Sequence, residues 1–119
     1  MEIITGVYQD RLSFEQDENG KYDVLLNYDD ERKYRTGFVY DSIKLLNEYL
    51  LRVGQIDSEG SMKYGVISVW FDPLILPCWF DIIKPYKGDV LRGVIGEEEY
   101  RINRWGCVSN LELWKISNS

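Results

Sequence analysis

Tyr64 to Phe80, YGVISVWFDPLILPCWF, carries a single formal charge, Asp72. Whatever buries this run sets the fold. A membrane span needs about 20 apolar residues in an unbroken helix. Pro73 and Pro77 break any helix here, and Val66, Ile67, Val69, Trp70 and Phe71 favour extended backbone. The run therefore predicts two short strands, about 65–71 and 78–84, joined by DPLILP. Apolar side chains at both parities predict a central strand covered on both faces. Leu74, Ile75 and Leu76 stand between the prolines, where a loop is normally polar. They are either tucked under the domain or exposed as an adhesive patch.

The clearest local signal is RLSFEQDENGKYDVLLNY. Leu12 and Phe14 alternate with polar residues, as do Tyr22, Val24, Leu26 and Tyr28 after Asn19-Gly20. A two-residue turn would set Phe14 against Leu25 and mix the faces. A three-residue loop, Glu18-Asn19-Gly20, sets Phe14 against Val24, Leu12 against Leu26 and Gln16 against Tyr22. It keeps one face apolar and gives Gly20 the left-handed position of a bulge. The bulged hairpin is the expectation.

YDSIKLLNEYLLRVG reads as the one helix. Ile43, Leu46, Leu50 and Val53 recur at helical spacing and Leu45 and Tyr49 widen the stripe, with Asp41 as N-cap and Gly54 as terminator. Strands are expected at Ile3–Tyr8 and in DVLRGVIG, EEEYRINRW and LELWKI, with turns at Pro85–Gly88, Glu97-Glu98 and GCVSN. No internal repeat is visible. The expected architecture is a single α+β domain over 1–119, a mostly antiparallel, curved sheet or partly open barrel with one main helix at about 41–53.

The chemistry is bounded by what is missing. The chain has no histidine, which removes imidazole acid–base catalysis, triads of the usual kind and imidazole metal ligands. Cys78 and Cys107 form no C-x-x-C; Cys78 reads as a buried small hydrophobe and Cys107 as the more exposed thiol. The N-terminus shows no secretion signal, so the expected compartment is the cytoplasm with reduced thiols. GDVLRGVIG has spaced glycines without the strand–turn–helix unit of a phosphate loop. An EF-hand alignment on Gly20 puts Leu26 where a bidentate Glu is required. No enzyme, cofactor or metal is expected.

Fourteen basic against 20 acidic residues give a net charge of −6. That disfavours direct binding to nucleic acid and to anionic membrane surfaces. The acids cluster at expected turns: Asp17-Glu18, Asp29-Asp30-Glu31, Asp57 with Glu59, and Glu97-Glu98-Glu99. They are either solvated turns, a negative face for a basic partner, or a cation site. Four Trp and nine Tyr exceed what a small core needs and favour binding over catalysis. Trp105, flanked by Arg101 and Arg104, is the most suggestive; Trp114 reads as core.

The reading that follows is a small acidic protein-binding domain, an inhibitor or immunity-type protein that occludes a basic, nuclease-like surface. Its expected contact residues are Asp29, Asp30, Glu31, Glu97, Glu98, Trp105, Leu74 and Ile75. The alternative is a small-ligand or carbohydrate-binding module with an aromatic-lined pocket. The tryptophans discriminate: inward around a cavity favours a ligand, outward beside carboxylates favours a protein.

Overall fold

The computed structural model describes residues 2–3, 12–27, 33–46, 50–69 and 74–110. Among them the architecture is all-β, which corrects the expected α+β class. The strands are β1 (Glu2–Ile3), β2 (Leu12–Gln16), β3 (Tyr22–Asn27), β4 (Lys33–Arg35), β5 (Ser42–Leu45), β6 (Leu50–Ile56), β7 (Met62–Ser68), β8 (Leu74–Phe80), β9 (Ile82–Lys87), β10 (Val90–Ile95), β11 (Glu98–Ile102) and β12 (Val108–Asn110). They form three antiparallel four-stranded sheets, ordered β1-β2-β3-β4, β5-β6-β7-β8 and β12-β11-β10-β9. Three sheets replace the single curved sheet or open barrel that the sequence suggested.

The expected helix at 41–53 is the hairpin β5–β6. Ile43 pairs with Val53 and Leu45 with Leu51 across it, and the Leu46 amide donates to the Leu50 carbonyl at 2.9 Å to close the turn. A strand–turn–strand thus reproduces the three-and-four spacing of a helical stripe. Asp41 caps nothing helical: its carboxylate pairs with Lys21 and accepts the Ile56 amide. Gly54 is buried mid-strand, where an added Cβ would lie 2.6 Å from the Ser42 Oγ and 2.8 Å from the Met62 Sδ. It is a packing glycine.

The hairpin β2–β3 has the register that parity demanded: Leu12 opposite Leu26, Phe14 opposite Val24, Gln16 opposite Tyr22. Gly20 has φ +84, and the Gly20 amide donates to the Asp17 carbonyl at 3.1 Å. The apolar run is also strand, but bounded differently. β7 holds the middle of its sheet with Gly65 to Ser68 all buried. The segment expected as a loop, Leu74–Leu76, begins edge strand β8, and the run expected as one strand at 78–84 breaks at Asp81. A Cβ on Gly65 would come 2.2 Å from the Leu76 carbonyl oxygen, so only glycine lets Pro77 lie over β7. There β8 bulges, with Val66 opposite Leu76 and Tyr64 opposite Phe80. The expected strands at 4–8 and in LELWKI lie outside the described residues.

The sequence hid a repeat. Asp17, Gly20, Asp41, Ile43, Lys44, Leu51 and Arg52 recur as Asp57, Gly60, Asp81, Ile83, Lys84, Leu91 and Arg92 at one constant spacing. The recurrence is structural as well. Asp41 takes the Ile56 amide and a lysine, Lys21; Asp81 takes the Gly96 amide and a lysine, Lys63. The Asp41 amide donates to the Gly54 carbonyl and the Asp81 amide to that of Val94, both at 2.7 Å. One core joins the three sheets: Leu12, Val24 and Leu26 from the first, Leu50, Val53, Val66 and Ile67 from the second, Ile83, Leu91 and Ile102 from the third. Phe80 reaches from β8 over Gly93 of β10, where a Cβ would meet its ring at 2.8 Å. Among the described residues no helix is long and apolar enough to cross a membrane.

Candidate functional site

The second and third sheets run side by side and present two ends. At one end stand the β6–β7 loop (Asp57–Ser61), the β10–β11 turn (Gly96-Glu97) and the close of β8 at Trp79. Asp81 ties them together: one carboxylate oxygen meets the Lys63 ammonium of β7 and the other accepts the Gly96 amide at 2.8 Å. Those two contacts, lysine first, hold the Asp81 carboxyl below its ordinary value. The Lys63 ammonium is held above its own, chiefly by Asp81, with smaller contributions from Asp57 and Glu59.

Glu59, Glu97 and Glu98 are exposed around this end. Beside them Trp79 is 64% exposed, more than the other large hydrophobic residues that stand out of the described surface. Strand alternation explains it: Cys78 points in, Trp79 out and Phe80 in again. The Cys78 Sγ lies 3.8 Å from the Val53 carbonyl. Burial pushes its thiol up to about 11, which keeps it protonated at neutral pH, and it packs against the core.

Six strand residues away, about 20 Å along β10, lies the opposite end. There the β9–β10 turn (Gly88-Asp89) faces the β11–β12 loop (Asn103–Cys107). The Asn103 Oδ1 accepts the amides of Trp105 at 3.0 Å and Cys107 at 2.9 Å, and Gly106 has φ +84. Tyr86 is the extra residue of a bulge, since Val90 pairs with Lys87 and Leu91 with Pro85. The bulge turns Tyr86 out of the sheet. Between these elements runs an open groove of about 710 Å³ lined by Tyr86, Lys87, Asp89, Val90, Asn103, Arg104 and Trp105.

Cations hold the aromatic walls of this groove. The Arg101 guanidinium stacks 4.0 Å from the Tyr86 ring centroid and that of Arg104 lies 5.7 Å from Trp105. Arg101 is 6% exposed and pairs with Glu99 at 2.9 Å; Arg104 pairs with Asp89 at 2.8 Å. Leu74 packs beneath the loop, where a Cβ on Gly106 would lie 2.7 Å from its Cδ2, and the Ser68 Oγ donates to the Arg104 carbonyl at 2.6 Å.

The expected contact residues therefore divide. Leu74 (38% exposed), Ile75 (45%) and Trp105 (44%) gather at the groove end. Glu97 and Glu98 are at the other. Asp29, Asp30 and Glu31 lie outside the described residues, as do Trp70 and Trp114. Sequence reasoning missed Trp79 and Tyr86: Trp79 faces out by alternation along an edge strand that was expected to be central, and Tyr86 owes its direction to a bulge. The available signals were Pro77 two residues before Trp79 and Pro85 immediately before Tyr86.

Elsewhere a charge is buried for structural reasons. Asp23 is 1% exposed, accepting Arg35 Nε at 2.7 Å and the Gly37 amide at 3.0 Å, which satisfies the buried carboxylate. Among the described residues no cluster of three or more His, Cys, Asp or Glu side chains is placed to hold a metal ion. No family model, curated protein or solved structure matches the chain.

Proposed function

We propose that the chain is a small acidic protein-binding domain of the inhibitor or immunity type, which occludes a basic, nuclease-like surface with its Asp81 end. Trp79 carries this reading. It is a large side chain 64% exposed on an edge strand, beside the exposed Glu59, Glu97 and Glu98. An exposed aromatic anchor at an end that also presents carboxylates is the arrangement in which one residue supplies most of the grip and the charges supply encounter rate. The acids that point inward, Asp41 and Asp81, hold lysines and turn amides, so they serve the scaffold. Trp79, the tryptophan at this end, stands out from the surface, which favours a protein partner over a closed ligand barrel; Trp105 lines the open groove at the other end.

The test is binding kinetics of the full chain against purified basic nucleases, with acidic proteins of equal size as controls. Between about 50 and 500 mM salt the on-rate should fall at least about tenfold while the off-rate changes less. The double variant Glu97→Lys/Glu98→Lys should slow association. Trp79→Ala should instead raise the off-rate about 30-fold, as loss of a 2 kcal/mol anchor does. An on-rate indifferent to salt, or equal binding to the acidic controls, would overturn the proposal.

A further inference from the structure

We propose that the groove between the β9–β10 turn and the β11–β12 loop binds a nucleoside monophosphate: a planar heteroaromatic ring carrying a single phosphate. The groove lies at the opposite end from Trp79 and does not depend on the protein-binding reading.

Two exposed rings form its walls, Tyr86 at 51% and Trp105 at 44%. Each is set there by a backbone device: a bulge turns Tyr86 outward, and a loop closed on the Asn103 side chain carries Trp105. Neither platform needs to be ordered on binding, which lowers the entropic cost of recognition. Tyr86 rests on the guanidinium of Arg101, itself fixed by Glu99 and by the Tyr100 carbonyl at 3.2 Å. Cations against these rings withdraw electron density from them. Electron-poor rings favour stacking by an electron-rich heteroaromatic base over contact with the C–H face of a sugar.

Charge sets the remainder of the ligand. Within the groove Asp89 is committed to Arg104, so it does not repel an incoming anion as a free carboxylate would. Lys87 is exposed and makes no ion pair among the described residues. With Asp89 and Arg104 paired to each other, the remaining cation of the groove lining is the Lys87 ammonium, and one ammonium suits one phosphate. Residues 81–110 carry Lys84, Lys87, Arg92, Arg101 and Arg104 against Asp81, Asp89 and Glu97 to Glu99, so this stretch is neutral, and the whole excess of −6 falls before residue 81. A long polyanion would meet that field; a mononucleotide at the neutral sheet does not. The volume of about 710 Å³ lies within the usual range for small ligands, about 300–1,000 Å³.

Isothermal titration of the full chain with adenosine 5′-monophosphate tests this. Adenosine, ribose 5-phosphate and glucuronate serve as probes of the ring, the phosphate and an acidic sugar. The monophosphate should bind at least about tenfold tighter than each. Trp105→Ala and Lys87→Ala should each weaken it about tenfold with unchanged melting temperature, and Trp105→Phe should retain most of the binding. A short single-stranded oligonucleotide separates sources: weaker binding identifies the free nucleotide, tighter binding a strand terminus. No heat with the monophosphate at millimolar concentration, equal binding of ribose 5-phosphate or glucuronate, or insensitivity to both alanine variants would overturn the proposal.

Discussion

The loops Asp57–Ser61 and Asn103–Cys107 have the same backbone and opposite chemistry. In each, the first residue's amide donates to the fifth residue's carbonyl, and the fourth, a glycine, donates to the first residue's carbonyl. In each, the first side chain accepts the third and fifth amides at 2.9–3.0 Å. Asp17–Lys21 repeats the pattern. Yet one loop presents Ser58-Glu59 at the acidic end, and the other presents Arg104-Trp105 at the groove. The turn is a scaffold whose hydrogen bonds come from the backbone of positions one, three, four and five and from the side chain of position one. The side chains of positions two and three are free to carry function.

The glycines should break this equivalence most. Gly60 and Gly106 both have φ +84, so alanine at either costs about 1 kcal/mol in backbone strain. Gly60 has open space around it, whereas a Cβ on Gly106 meets Leu74 and Ser68. Leu74 can yield at its free end, so Gly106→Ala should cost about 2 kcal/mol in total. Urea unfolding of both variants measures the difference. Equal losses would mean that the Leu74 contact carries no energy.

The first residue comes next. Asp57→Ala or Asn103→Ala removes an acceptor for two amides, about 1 kcal/mol in either loop because both amides regain water. Asn103→Asp should be within about 0.5 kcal/mol of the parent, since an aspartate makes the same bonds at position 57. A large loss for Asn103→Asp would show that the groove rejects a further negative charge.

Acid should act on the junctions held by carboxylates. Asp41 and Asp81 are both held below the ordinary value of 3.8, each first by its lysine and then by a backbone amide. A depressed folded value means that their stabilisation is fully present above pH 3.8 and is lost as pH falls through the lower, folded values. Lys63 is raised above 10.5, so its share persists below that pH and is lost as pH rises through the raised value. Asp81→Asn should flatten the acid limb of a melting-temperature profile. An unchanged limb would place the acid sensitivity elsewhere.

How much of this was legible follows from which physical signals were local. The β2–β3 register was readable because side-chain parity and one left-handed glycine decide it within a single hairpin. The β5–β6 hairpin was not. Ile43, Leu46, Leu50 and Val53 satisfy both a helical stripe and a pair of antiparallel strands, and tertiary pairing with β7 decides between them. The repeat was hidden because only a few scattered residues stay constant at the 40-residue spacing, such as Asp41 and Asp81, Ile43 and Ile83, and Leu51 and Leu91, while the positions between them vary. Of the expected contact residues, Leu74 meets the loop that carries Trp105 through the Gly106 contact, a long-range approach that no periodicity encodes. Glu97 lies in the β10–β11 turn and Glu98 opens β11, next to the expected turn, but nothing local put Trp79 at the same end.

The smallest expected stability change sharpens the comparison most, because it exchanges only the two free positions. Replacing Arg104-Trp105 by Ser-Glu, and Ser58-Glu59 by Arg-Trp, leaves Asn103, Gly106, Asp57 and Gly60 in place, so every bond that closes either loop survives. The exchange breaks the exposed Arg104–Asp89 pair, and surface pairs of this kind contribute about 0–1 kcal/mol. The melting temperature should therefore move by no more than a few degrees. Binding should respond in full. Nucleoside monophosphate affinity should disappear from the groove, which loses its tryptophan and its guanidinium and gains a carboxylate. At the Asp81 end, association with a basic partner should slow, because a cation has replaced one of the steering acids. A melting temperature lowered by ten degrees or more would mean that Arg104 and Trp105 hold the loop together, and the division between scaffold and tip positions would fail.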